Sequence, residues 1–238
     1  MAEMVEAILN GEFKIIIPKH RADRPEWYTS EGWEKARLIA LCQEVSNQDN
    51  PVVYYVGAEE GEMPALCQLW GAEVVLFEPN PKVWSNTKAI WQANKLKDPY
   101  TFEGFASNED RQLTANIQRG FPASADTEII AAHGFKELYQ EAQNYPQIKI
   151  DTATEQLPAP TILTMDVEGS EYEVLKGAAQ TIAKHKPVIF LSLHPEFLFH
   201  QWGVYGSEVR GFIKGFGYSE QLLDYKHEVH LLYLPEQS

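Results

Sequence analysis

Apolar and polar positions along the chain alternate between a period near two and a period near 3.6, and this switching predicts strands and helices in turn. Trp33, Ala36, Arg37, Ala40, Leu41 and Glu44 follow helical spacing and predict a helix over 30–45, capped by Ser30. The β-branched and aromatic run Val52-Val53-Tyr54-Tyr55-Val56 predicts a strand closed by Gly57 and covered on both faces. A helix over 64–70, a strand over 73–78, a helix over 82–94 and a strand over 101–106 continue the βαβ alternation. Further on, the pattern predicts strands over 161–166 and 187–193 with a helix over 171–183 between them. A helix over 207–215 and two strand-like runs, 219–224 and 228–233, then form a terminal antiparallel hairpin around Tyr225-Lys226-His227. Between 108 and 157 periodicity is weak. That stretch holds Gln118-Arg119-Gly120-Phe121-Pro122 and a helical pattern at 135–142, and its length predicts a strand pair or a helical excursion near the site.

Neither repeats nor a Gly/Ser linker interrupt this series. The expected architecture is therefore one α/β domain over 1–238, with 1–50 as an N-terminal cap and lead-in helix and 108–157 as an insertion. The 238 residues, 44% of them hydrophobic, suffice for a continuous core and exclude a disordered or collagen-like chain. Lys and Arg number 20 against 34 Asp and Glu, a formal charge of −14, so a partner held through its own phosphates meets a repulsive field. No nucleic-acid partner is expected. No apolar stretch approaches the roughly 20 residues of a bilayer span, and Met1-Ala2-Glu3-Met4-Val5-Glu6 is too acidic for a secretory leader. The expectation is a cytoplasmic protein without a membrane span. Cys42 and Cys67, the only cysteines, sit in helical patterns and are expected as buried thiols.

In open parallel sheets, ligands sit beyond the carboxyl ends of the strands, so chemistry is sought there. The first strand ends in Gly57-Ala58-Glu59-Glu60-Gly61, where small residues admit a ligand close to the backbone and Gly61 opens a helix. Glu78 ends the second strand, where a carboxylate can accept both hydroxyls of a ribose. A dinucleotide favours G-x-G-x-x-G, whereas Glu59, Glu60 and Glu62 crowd this turn and suit a cationic ligand end. S-adenosylmethionine, with its ammonium and sulfonium, fits that pattern better than NAD. The fourth strand ends in Met165-Asp166-Val167-Glu168, whose alternation puts Asp166 and Glu168 on one side. Ser170 and Glu173 have capping-box spacing, and Glu171 suits a first helical turn. His194, at the end of the next strand, is either a general base oriented by those carboxylates or a loop-bonding residue. Asp166, Glu168 and His194 could also hold a divalent cation, but hard cations take more oxygen ligands than this set offers, and no metal is assigned.

On these residues the chain resembles the FkbM-type methyltransferases, a family dependent on S-adenosylmethionine. The family's D-x-G-A-N-x-G turn appears as Tyr55-Val56-Gly57-Ala58-Glu59-Glu60-Gly61 and its F-E-P as Phe77-Glu78-Pro79. Its I-D-V-E-G-x-E-x-x-V-L-x-G-A stretch appears as 165–178, from Met165-Asp166-Val167-Glu168-Gly169 to Gly177-Ala178, and its E-x-H as Ser192-Leu193-His194. The likeness runs from about Trp33 to Leu234. It implies the Rossmann-like class I methyltransferase fold, a doubly wound sheet of strand order 3-2-1-4-5-7-6, and methyl transfer to a hydroxyl of a sugar, glycan or small natural product.

Three positions depart from the pattern: Tyr55 stands for Asp, Glu59 for Asn and Ser192 for Glu. Glu59 or Glu60 is expected to restore the charge lost at Tyr55. The expected cofactor-binding set is Gly57, Ala58, Glu59, Gly61, Glu78, Asn108 and Asp166, with Asn108 at the adenine edge or an ordinary turn residue. The expected catalytic set is His194, Asp166 and Glu168, with His194 or Asp166 removing the proton. The segments 13–27 and 111–145 are expected to cover the site, and Trp27, Tyr28, Trp202 and Tyr205 either stack on a sugar or pack a core. The rival readings are a catalytically silent or regulatory protein that keeps the cofactor pocket, and an NAD-linked oxidoreductase.

Overall fold

Strands that are apolar at nearly every position are stable only where both faces are covered, and the central strands here are of that kind. The computed structural model describes residues 3–24, 34–111, 116–126, 144–225 and 228–236. The chain opens with an antiparallel hairpin, β1 (Met4–Leu9) and β2 (Phe13–Pro18), and one helical turn, α1 (Lys19–Ala22). Helix α2 (Lys35–Ser46) leads into β3 (Val52–Val56), α3 (Glu62–Leu69), β4 (Glu73–Phe77), α4 (Trp84–Ala93) and β5 (Tyr100–Phe102). Three short strands follow, β6 (Phe105–Ala106), β7 (Gln118–Arg119) and β8 (Gln147–Ile148). Then come α5 (Ile150–Gln156), β9 (Ile162–Asp166), α6 (Glu171–Gly177), α7 (Ala179–His185) and β10 (Val188–Leu193). Helices α8 (Pro195–Trp202) and α9 (Gly206–Lys214) precede the closing hairpin of β11 (Tyr218–Asp224) and β12 (Val229–Pro235).

The main sheet has eight strands in the order β11-β12-β10-β9-β3-β4-β5-β7. The five from β10 to β5 are parallel, while β12 and β7 run antiparallel to their neighbours β10 and β5. Alternation divides β3 between two cores. Val53 and Tyr55 pack with Ile15, Ile17, Leu38, Leu41 and Trp91 from the hairpin, α2 and α4. Tyr54 and Val56 pack with Leu163, Met165, Val174 and Ile182 on the opposite face. The register pairs Val56 with both Phe77 and Met165, and Ser192 with Asp166. Gly57, Glu78, Asp166 and His194 therefore leave the sheet at one edge.

The structure corrects several expected boundaries. The strand expected over 101–106 is two, because a Cβ on Gly104 would come within 2.5 Å of Pro146 O, and β6 leaves the main sheet to pair with β8. The helix expected over 171–183 breaks at Ala178, just after Gly177 meets the Ser107 carbonyl, where a Cβ would come within 1.9 Å. The cap expected over 1–50 contains a β-hairpin, and α8 starts directly after His194 with Pro195 in its first turn. Ser30 and the 135–142 pattern lie outside the described residues, as do Trp27 and Tyr28. Both cysteines are free, Cys67 buried and Cys42 half-buried. Among the described residues no helix is long and apolar enough to cross a membrane.

Candidate active site

The glycine turn after β3 is fixed by its own backbone. Gly57 has φ +79° and touches the Asp166 carbonyl, which a Cβ would approach to 1.9 Å, so only glycine lets β3 and β9 end side by side. Glu59 follows with φ 47°, and this left-handed conformation aims its N–H at Glu78. Glu78 Oε2 accepts from the Glu59 N–H at 3.0 Å and Oε1 from the Asn80 N–H at 2.8 Å. The side chain is thus held by main chain, with lone pairs left on both oxygens. Burial raises its pKa to about 7, against the lowering effect of the two N–H donors. Gly61, φ +95°, starts α3 against Thr87 and does not reach the cleft.

The acids around this turn divide in a way the sequence did not show. Arg21, buried on α1, forms ion pairs with Glu62 and, at 3.5 Å, with Glu60. Glu60 also accepts from Asn86 Nδ2 at 2.8 Å and meets His20 Nε2 at 3.0 Å. Arg21 also lies 4.0 Å from Glu59 Oε2, so all three acids share its cation. Glu59 alone of the three lines the cleft at Glu78, and burial pushes its pKa well above the usual carboxylate range. Tyr55 turns away from that cleft, its hydroxyl donating to Met63 Sδ at 3.6 Å and accepting from Arg37 Nη2 at 3.5 Å.

The opposite wall is built of side chains from distant parts of the chain. Arg37, buried on α2, meets Asp166 Oδ2 at 3.4 Å, donates to Thr164 Oγ1 at 2.9 Å and pairs with Glu34. Its Nε is buried without a hydrogen-bond partner among the described residues. The turn after β9 takes two left-handed residues, Glu168 (φ 50°) and Gly169 (φ 98°), and sets Glu168 beside Asp166. His194 Nδ1 donates to Glu171 Oε1 at 2.7 Å, and that oxygen also accepts from the Gly169 N–H at 3.0 Å. His194 Nε2 lies 2.6 Å from Glu228 Oε2 and 3.7 Å from both Asp166 Oδ1 and Glu168 Oε2. Phe197 stacks on the ring with centroids 5.9 Å apart.

Four carboxylates surround the His194 ring. Although burial acts to lower its pKa, hydrogen bonds to Glu171 and Glu228 and the charge of Asp166 raise it to about 11. The protonated ring is thereby favoured, held between Glu171 and Glu228. Asp166 is raised to about 6 by burial and by Glu228, with Arg37 and His194 pulling the other way. Donor atoms of Asp166, Glu168 and His194 lie within 4.8 Å of one another, as do those of Glu34, Asp166 and Glu228.

Glu171, Glu228 and Arg37 carry this wall, and sequence reasoning missed them as site residues. Glu171 has no exposed surface and bonds His194 rather than serving the helix dipole alone. Ser170 sits at the N-cap of α6 without a side-chain cap bond, while Glu173 pairs with Lys176, so the expected capping box does not form. Asn108 is exposed, with its Cα beside Gly177, and is not among the residues lining the cleft. Trp202 and Tyr205 are exposed at and beyond the end of α8.

Between the walls runs a cleft of about 560 Å³, its open mouth included, lined by Gly57, Glu59, Glu78, Phe105, Asp166 and Glu168 among others. A smaller recess continues from Gly57 and Glu59 to Arg37 and Glu34. A sequence profile of the methyltransferase FkbM domain matches residues 44–220. The chain belongs to the FkbM methyltransferase family. It is 28% identical over 155 residues to a hexuronic acid methyltransferase, AglP, of Haloferax volcanii, over 61% of this chain and 56% of that one. The chain thus spans little more than half the length of that curated relative. The crystal structure of methyltransferase FkbM from Methylobacillus flagellatus KT superposes with a TM-score of 0.52 at 18% identity, over 77% of this chain and 43% of that one. This second likeness is one of fold.

The donor set of the cleft fits the cofactor implied by the family. Glu78 offers two acceptors fixed by main chain, and the recess brings the Glu59 carboxyl and the Arg37 guanidinium together.

Proposed function

We propose that the protein transfers the methyl group of S-adenosylmethionine to a hydroxyl oxygen of a sugar or another small polyhydroxylated acceptor. Glu78 carries this reading: a buried carboxylate, oriented by two backbone N–H groups, facing a second set of carboxylates across one cleft. The cofactor, when bound, supplies an electrophilic methyl on a sulfonium. Glu78 would accept the two ribose hydroxyls, Glu59 would face the ammonium, and Arg37, through its unpartnered Nε, would face the carboxylate. Asp166 would take the proton of the acceptor hydroxyl as its oxygen attacks, a contribution of about 10²–10⁴-fold. The remainder is alignment of oxygen and methyl by the cleft walls.

The relative named as a hexuronic acid methyltransferase supports a sugar acceptor. A uronic acid offers both carboxylate and hydroxyl oxygens. The acids Asp166, Glu168, Glu171 and Glu228 outnumber the cations Arg37 and His194 on this wall, and that excess favours the neutral hydroxyl over an anion. The silent-binder reading draws on Tyr55, whose hydroxyl is taken up by Arg37 and Met63.

Calorimetry with S-adenosylhomocysteine, with NADH as control and a Glu78→Ala variant alongside, tests the proposal. The expected result is micromolar binding, about −8 kcal/mol, at least tenfold weaker in the variant and absent with NADH. No binding of S-adenosylhomocysteine would overturn the cofactor assignment, and binding without turnover on hydroxylated acceptors would favour the silent binder.

A further inference from the structure

Position 192 lacks the acid that would partner His194 from the same strand, and the fold brings one in from another. Strands β10 and β12 are antiparallel with Ser192 opposite His230 and Leu193 opposite Val229, so one step further along the ladder Glu228 stands beside His194. Side chains 192 and 194 point to the same face of the sheet. A continuous polar chain occupies that face. Ser192 Oγ and His230 Nδ1 are hydrogen-bonded at 3.0 Å, His230 Nε2 lies 3.4 Å from Glu228 Oε1, and Glu228 Oε2 lies 2.6 Å from His194 Nε2. On the other side of the ring, Glu171 holds Nδ1 at 2.7 Å. Ser192, His230, Glu228 and Glu171 are all buried.

We propose that Glu228 is the positioning residue of the cleft: it supplies from the start of β12 the carboxylate that β10 lacks and, with Glu171, fixes His194 as a cation facing Asp166 and Glu168. A buried carboxylate is retained as an ion only when paired, and a buried imidazole is protonated only when anions surround it, so each group holds the other charged. The groups facing the ring are Glu171 on α6, Glu228 and His230 from the β12 side, Asp166 at the end of β9 and Glu168 in the turn beyond. Arg37 of α2 acts on the ring through Asp166. The cation in turn keeps Asp166 ionised, which is its part in catalysis under the methyltransferase reading above.

The test is nitrogen NMR of the His194 ring in the whole protein, followed over pH in wild type, Glu228→Gln, Glu228→Asp and the double variant Ser192→Glu/Glu228→Gln. In wild type both ring nitrogens are expected to stay protonated from about pH 5 to about pH 9. In Glu228→Gln the ring titration moves down by about two pH units, and the double variant, with a carboxylate returned on β10, moves it back up. Glu228→Asp keeps the charge and shows whether its placement also counts, and it carries the test if the Gln variant does not fold. Turnover in Glu228→Gln is expected to fall about 10²-fold, with the KM for the cofactor unchanged. An identical His194 titration in wild type and Glu228→Gln would overturn the proposal, as would a double variant that titrates like the single one. The ring titration needs no cofactor, so failure to bind S-adenosylhomocysteine would defeat the methyltransferase reading and leave Glu228's part to be decided separately.

Discussion

The two walls of the cleft solve the same problem, holding carboxylates away from bulk water, by opposite means. On the β3–β4 side Glu78 is fixed by two main-chain N–H groups within 19 residues of it. On the β9–β10 side, Asp166 and His194 are fixed by side chains from α2, α6 and the start of β12, with contacts up to 129 residues apart. A main-chain cradle tolerates a neutral acid, whose pKa floats to about 7, whereas the ion-pair wall depends on each charge being present. The first wall is therefore expected to respond to pH and the second to substitution.

The largest effect is expected from breaking the support behind the first wall. Arg21→Met leaves Glu60 and Glu62 buried without their cation and should cost about 3–5 kcal/mol in chemical denaturation. A loss below about 1 kcal/mol would show that His20 and Asn86 suffice. Gly57→Ala places a methyl on the Asp166 carbonyl in a left-handed conformation and should cost about 3 kcal/mol, read as a lowered Tm, because both walls meet there.

Glu78→Gln separates stability from function. The folded-state pKa is raised above the unfolded value, so Glu78's contribution is fully present below about pH 4.5 and is lost as pH rises through about 7. By pH 8 the ionised group costs about 3 kcal/mol, which the Gln variant removes, so its Tm should exceed wild type at pH 8 and match it near pH 4. Its affinity for S-adenosylhomocysteine should fall by about 2 kcal/mol, since a charged acceptor is lost. A variant that is no more stable at pH 8 would show that water reaches the carboxylate. The smallest effect is expected at Ser170→Ala, within about 0.5 kcal/mol, because that hydroxyl makes no cap bond.

Legibility in the sequence follows the same division. Gly57, Glu59 and Glu78 lie at the ends of two adjacent strands, so local pattern and the rule for strand ends were enough to place them together. The α/β class was legible for the same reason, since β3, α3, β4 and α4 are each a short run with its own period. Glu228 gave no such signal. It precedes a terminal strand, and only the antiparallel register of β10 with β12 sets it against His194. Arg37 looked like one polar position of an amphipathic helix, and Glu171 like an acid suited to a first turn. The N-terminal hairpin escaped notice because Met4–Leu9 and Phe13–Pro18 are partly exposed and mix acidic, basic and apolar residues. The helix after His194 was hidden because Phe197, Phe199 and Trp202, all exposed, blur its apolar face.

The raised pKa of Glu78 would make uptake of the proposed cofactor a proton-exchange reaction. Hydroxyl donors favour the carboxylate form, so ribose binding at Glu78 would lower its pKa and expel a fraction of a proton near neutral pH. The heat of binding then differs between phosphate and Tris by that fraction of their difference in ionisation enthalpy, and affinity climbs with pH through neutrality. On the methyltransferase reading, acidification would weaken the hold of Glu78 on the ribose.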